Sequence, residues 1–404
     1  MTGPRRATPG LRREPHPDLD AVGESRELLD LIRAEIRADG PITFARFMER
    51  ALYEPGLGYY RSADARPGRS GDFLTAPEAD PIFGAALARQ LAEVWRRAGE
   101  PAAFTVREPG AGTGTLAVAT LRALARTEPA LAARVRWQPV EIEGARTTAF
   151  AATLADAGFG GVAIADDAAP IVGVIVANEI LDALPVHRLI GRPSGVRELL
   201  VAIASDDGQA LEEVEAVPTD PRLGERLAAE CIVLADGQRA EVCLGLDDWI
   251  AAEAAHLERG VLLAIDYGYP APELYDPVRR AAGTLRAYVR HRVHDDPFRH
   301  VGRQDLTAHI DVTAVERAAA AAGLDHLGTT TQAEFLTGLG IGELLVALQT
   351  APDTTMESYL AARSAVMRMI DPAAMGRFRV MLFGRSVTLE PPLAGLAFRL
   401  PGSA

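Results

Sequence analysis

Apolar positions recur along this chain with two different periods. From Glu24 to Ala38, Leu28, Leu29, Ile32 and Ile36 fall on one face at helical spacing, and Gly40-Pro41 ends the pattern. Thr43 can cap a second helix reaching about Tyr53. The stretch YEPGLGYYRS at 53–62 is a Pro-Gly turn with paired tyrosines, leading through a glycine-bearing loop to GDFLTAPEADPIFG at 71–84. There Thr75 and Glu78 have capping-box spacing around Pro77, which predicts a helix to about Arg97, with Asp72 and Phe73 just before the cap. After that the period changes. Phe104, Thr105 and Val106 open a short β-branched run, 135–141 a second, 171–178 a near-continuous apolar third and 259–266 a fourth. A helix is expected from Thr115 to Arg126. Strands whose two faces are both apolar need covering on both sides, so the alternation predicts an α/β fold with a mostly parallel sheet.

The remaining segments read less regularly. Residues 186–247 alternate β-prone runs (186–190, 197–203, 241–244) with Gly, Pro and acidic stretches, as expected of an antiparallel insertion with 209–222 as its mobile part. Residues 284–290 predict one more strand. Thr313 and Glu316, then Thr331 and Glu334, have capping-box spacing before helices, and apolar spacing over 356–384 reads as core. The expected division is a disordered tail at 1–23, a helical N-terminal cap at 24–100, and one large domain at 101–404 carrying the insertion.

The polar residues that interrupt these strands carry the chemistry. Glu108 ends the first strand, and Gly110, Gly112 and Gly114 follow at alternate positions before a helix. Glycine there tolerates positive φ and lets a ligand approach the backbone, while the helix start offers unpaired N–H groups. The spacing is GxGxG behind an acid, one residue short of a dinucleotide motif, and suits a ligand with positive charge and hydroxyls better than a pyrophosphate. Glu141 ends the second strand, where an acid accepts hydrogen bonds from ribose hydroxyls, with Glu143 as its rival. Asn178, Glu179 and Asp182 follow the third strand, and Asp266 ends the fourth. Ligands of open α/β sheets bind at that edge, so four strands finishing in polar residues point to one site. His309 and Asp311 stand before the cap of the Ala-rich helix, where a loop could bring them over the same edge.

Composition narrows the classes. The 404 residues with 48% hydrophobic content suffice for a real core. Cys231 and Cys243 lack metal or disulfide spacing, and His291, His294 and His300 fit no standard site, so no metal is expected. A net charge of −13 disfavours binding that neutralises phosphates, so no nucleic-acid partner is expected. No apolar run reaches the length of a membrane span and the start lacks a signal-peptide core; a soluble, cytoplasmic protein is expected.

Seven blocks in order, ALYEPGLGYY, GDFLTAPE, EPGAGTGTLA, ANEILDALPVHRL, AIDYGYP, DLTAHIDVTAVERAAAAAGL and TTQAEFLTGLGI, resemble the MidA-like family of class I S-adenosyl-L-methionine (SAM) methyltransferases. That family includes the mitochondrial arginine methyltransferase of complex I assembly. The resemblance runs from about Ile42 to about Leu345 and implies a Rossmann-like seven-stranded sheet with SAM as cofactor. It implies that Glu108, Gly110, Gly112 and Gly114 match the SAM loop, Glu141 the ribose acid, and Asn178, Glu179 and Asp182 the block beside the methyl group. This chain departs from the family pattern at Pro109, Ala111 and Thr113, which leaves the glycine geometry in place. Asp72 joins the cofactor candidates.

Methyl transfer is an in-line displacement that needs the nucleophile held in a near-attack geometry. For a protein arginine, Glu179, Asp182 and Asp266 are candidates to hold the guanidinium. For a hydroxyl acceptor, His309 is the candidate base. The expected function is methylation of an arginine on a protein partner, by family analogy a respiratory complex I subunit. The alternatives are a small-molecule or peptide methyltransferase, a nicotinamide-dependent oxidoreductase, and a non-catalytic assembly factor.

Overall fold

The computed structural model describes residues 22–62, 76–205, 208–290, 292–352, 354–388 and 390–400. Its main sheet has six strands: β1 (Phe104–Pro109), β2 (Val135–Val140), β3 (Ile171–Asn178), β4 (Leu257–Asp266), β5 (Asp325–Thr331) and β6 (Arg379–Arg385). They lie in the order β5-β6-β4-β3-β1-β2. All neighbours run parallel except β6, which is antiparallel to both β4 and β5. The expected seventh place is reduced to one bridge, Trp137 with Ala163, where Trp137 N donates to Val162 O and Ile164 N to Trp137 O. The apolar runs of β1, β3 and β4 are buried throughout their middles because helices cover both faces. One face packs helices Ile82–Arg97, Thr115–Thr127 and Gly144–Asp156 around Trp137, Phe150 and Phe335; the other packs Leu246–Ala255 and Val312–Ala321 around Ile175, Leu262 and Phe383.

The insertion folds as a second, smaller sheet. His187–Arg192, Gly195–Ile203 and Arg239–Val242 pair antiparallel, and the two-residue strand Ile42–Thr43 joins them by pairing with Val201 and Leu200. Residues 209–222 correct the expectation of a mobile stretch. Leu211–Ala216 is an antiparallel edge strand on Gly195–Ile203, and Arg222–Ala229 is a helix. Its acidic residues mislead because arginines pair with them: Glu213 with Arg188 and Arg239, Glu215 with Arg192, and Asp220 with Arg222.

At the N-terminus, Arg26–Asp39 buries Leu28, Leu29, Ile32 and Ile36, and Phe44–Tyr53 starts at Thr43, whose hydroxyl accepts from Arg46 N. These two helices seat on the small sheet, whereas Ile82–Arg97 packs on Thr115–Thr127 beside the large one, so residues 24–100 are not one cap. The helix expected up to Arg97 is interrupted: Ala76–Ala79 is a single turn, and Asp80 Oδ1 takes Ile82 N at 2.9 Å to restart the helix after Pro81. Thr331 and Glu334 form the expected capping box. Thr313 does not cap; Asp311 accepts from Ala314 N instead, and Thr313 Oγ1 accepts from Ala271 N. A carboxylate two residues earlier is simply the stronger N-cap.

Candidate functional site

The loop after β1 turns on glycines. Gly110, Gly112 and Gly114 have φ of 67°, 56° and 83°. The first is pressed by a neighbour, since a Cβ there would lie 2.3 Å from Ile180 Cδ1, while a Cβ on Gly112 would meet nothing nearer than Gly110 O at 3.9 Å. The space above Gly112 is a cavity of about 440 Å³ at the carboxyl ends of β1, β2 and β3. Pro109, Leu116, Val140 and Ile142 give it apolar walls, and Glu108, Glu141, Asn178 and Glu179 reach it as polar groups.

Each acid is held differently. Glu108 is buried, accepts from Trp137 Nε1 at 2.6 Å, and is pushed up to about 8 by burial, against the indole's donation. Glu141 accepts from the Gly112 N–H and faces Arg146 at 3.7 Å; burial raises its pKa against the pull of both. Glu179 stands at φ 53°, a left-handed backbone that costs energy for a residue with Cβ, with its N–H donating to Ile265 O. Asn178 Nδ2 donates to Glu179 Oε1 at 3.2 Å, and the buried Asn178 Oδ1 has no hydrogen-bond partner among the described residues.

Asp182 and Asp266 do not line the cavity. Asp266 is buried and accepts from the backbone N–H groups of Leu181, Asp182 and Tyr267. Burial, then the nearby Asp182 and Glu179 carboxylates, raise its pKa well above the usual range. Asp182 accepts from Tyr267 Oη and is raised by burial to about 6. Both therefore fasten the turn after β3 from behind, which corrects their expected place in a substrate clamp. His309 is corrected likewise. It lines a separate small pocket with Asp311, packs on the rings of Tyr267 and Tyr269 at 5.4 and 5.6 Å, and burial lowers its pKa to about 4. Asp72 lies outside the described residues, as does His291; His294 and His300 stand 6.0 Å apart and are not among the residues that line the cavity. Glu143 pairs with Arg61 at 2.6 Å, leaving Glu141 as the acid of β2 that faces the cavity.

Sequence reasoning passed over four cavity residues. Tyr53 and Tyr60 come from the segment expected as a helical cap, and Arg146 and Trp249 from the helices Gly144–Asp156 and Leu246–Ala255, which the sequence reading did not single out. The doubled aromatics of YEPGLGYY are the one signal that could have found the tyrosines. Arg146 Nη2 donates to Tyr60 O at 2.6 Å, tying that segment to the helix after Glu141.

The cavity suits SAM on its own geometry. Its volume lies in the range of roughly 300–1,000 Å³ typical of small-molecule sites, with apolar walls for a base and carboxylates for hydroxyls and positive charge. The open approach over Gly112 and the orphaned Asn178 Oδ1 are what a ligand would complete.

Comparison with known proteins agrees. The profile of a family described as S-adenosyl-L-methionine-dependent methyltransferases matches residues 86–330. The mitochondrial protein arginine methyltransferase NDUFAF7 homolog of Drosophila melanogaster is 29% identical over 92% of this chain and 87% of its own. The mitochondrial protein arginine methyltransferase NDUFAF7 of Xenopus tropicalis is 29% identical over 96% and 92%. A crystal structure from Burkholderia thailandensis bound to S-adenosyl-homocysteine superposes with a TM-score of 0.82 at 36% identity, covering 95% of this chain and 97% of that one. The cytoplasmic location expected from the sequence is not upheld, because these curated relatives are named as mitochondrial proteins.

Proposed function

The chain belongs to the S-adenosyl-L-methionine-dependent methyltransferase family, and from that premise we propose that its acceptor is an arginine side chain of a protein. SAM supplies an electrophilic methyl group on a sulfonium. Glu141 is the group that would accept the ribose hydroxyls, exchanging its bond to Gly112 N for them, while the Gly110–Gly114 loop leaves room for close approach.

The observation that carries the arginine reading is the pair Asn178–Glu179. A carboxylate and an amide oxygen without a partner among the described residues stand side by side at the cavity, on a backbone held in a costly conformation by Ile265 and by the Asp266 turn. A guanidinium presents several N–H donors in one plane, and two adjacent acceptors can bind it and orient one nitrogen toward the methyl. The names of the curated relatives support the same acceptor, and a respiratory complex I subunit is the partner that the family resemblance suggests.

The test is incubation with methyl-labelled SAM and extract from a strain lacking this protein. Label in a protein, recovered as methylarginine, is the expected outcome. Label confined to small molecules would replace this reading with biosynthetic methylation, and bound cofactor without any label would leave a binding platform.

A further inference from the structure

Tyr53 and Tyr60 are stacked, with ring centroids 5.6 Å apart and planes 19° from parallel, and both line the cavity. Their hydroxyls are spent elsewhere: Tyr53 Oη donates to Ala183 O and Tyr60 Oη donates to Asp305 Oδ1, each at 2.9 Å. Tyr59 braces Tyr60 edge-on at 5.0 Å. Burial raises both phenols, so they remain neutral and cannot serve as bases. What the two residues offer a ligand is therefore ring surface, fixed in orientation by the hydroxyl ties. Ala183, which holds Tyr53, belongs to the turn that follows Asn178 and Glu179, so rings and acceptors share one rigid frame.

We infer that the stacked rings of Tyr53 and Tyr60 are the wall on which the acceptor's planar guanidinium lies, and that they make the site prefer a delocalised cation to a primary ammonium. This rests on the arginine reading above. A guanidinium is flat and weakly hydrated and stacks on aromatic faces, whereas an ammonium of equal charge keeps its water more strongly. Charge attraction to Glu179 would hold both cations; the rings add a face that the delocalised cation uses better.

The test uses the full chain saturated with S-adenosyl-homocysteine, titrated with butylguanidinium and with butylammonium and followed by saturation-transfer NMR. The wild type should bind the first roughly tenfold more tightly. Tyr53→Leu and Tyr60→Leu should each lower that ratio by about threefold or more, and Tyr53→Phe should keep the ratio because it keeps the ring. Equal binding by the wild type, or an undiminished ratio in both Leu variants, overturns the inference. So does a matching loss of S-adenosyl-homocysteine affinity, which would make the rings a wall of the cofactor pocket. A preference for butylguanidinium together with no methylarginine in extract would defeat the arginine reading by itself, whereas methylarginine without the preference would defeat only the wall.

Discussion

The indole of Trp137 donates to Glu108 across the β1–β2 pair, a single hydrogen bond that keeps a carboxyl at the floor of the cofactor cavity buried. Because the folded pKa, about 8, lies above the ordinary value of 4.5, the folded state binds the extra proton between those limits. The contribution is full below about pH 4.5 and is lost as pH rises through 8. Trp137→Phe leaves a carboxyl oxygen without its donor and should cost about 1–3 kcal/mol, more at pH 9 than at pH 6. Urea unfolding at the two pH values checks this; an equal loss at both would show that Glu108 does not titrate in this window.

Gly112→Val should separate binding from folding. The new side chain points into open space, so unfolding should be easier by only about 1–2 kcal/mol of backbone strain. Affinity for S-adenosyl-homocysteine, measured by calorimetry, should fall at least a hundredfold. Gly110→Ala meets Ile180 and should reverse the order, losing more stability than Gly112→Val does.

Asp266→Ala leaves three buried N–H groups unpaired at the turn after β3. A loss of about 2–4 kcal/mol is expected, with methyl transfer falling more than S-adenosyl-homocysteine affinity as Glu179 loses its support. Unchanged transfer in a folded variant would separate that turn from the acceptor site.

His309→Ala should retain most of the transfer rate, because the ring sits outside the cavity. Its folded pKa, about 4, is depressed below 6.5, so the ring's contribution to stability is present above pH 6.5 and drains away as pH falls toward 4. Thermal unfolding of wild type and variant should therefore converge on acidification. A rate loss beyond tenfold at pH 8 would restore a catalytic role.

The glycine loop and the ends of β1 to β4 are legible in the sequence because they lie within single strand–turn–helix units, where period and punctuation are local. What occupies an acid is not local. Asp266 looks like a free carboxylate at a strand end, yet the N–H groups that fill it come from residues 181 and 182. Tyr53 finds its anchor at Ala183, and Arg188 and Arg239 turn the acidic run around Glu213 into an edge strand. His309 fails for a related reason: the loop before its helix pairs Gly268 with Ile310 and Tyr269 with Asp311, and packs the ring on Tyr267 and Tyr269.

The pairing of Ile42 with Val201 has a temporal meaning. The ribosome delivers the first of these residues about 160 residues before the second, and a contact so distant in sequence forms late. Until the small sheet exists, the helix ending at Tyr53 has no seat, and neither aromatic ring can stand at the cavity. The glycine loop, built from neighbouring residues, has no such delay. The segment that brings Tyr53 to the cavity is thus among the first made, and it waits for its seat on residues about 160 positions later in the chain.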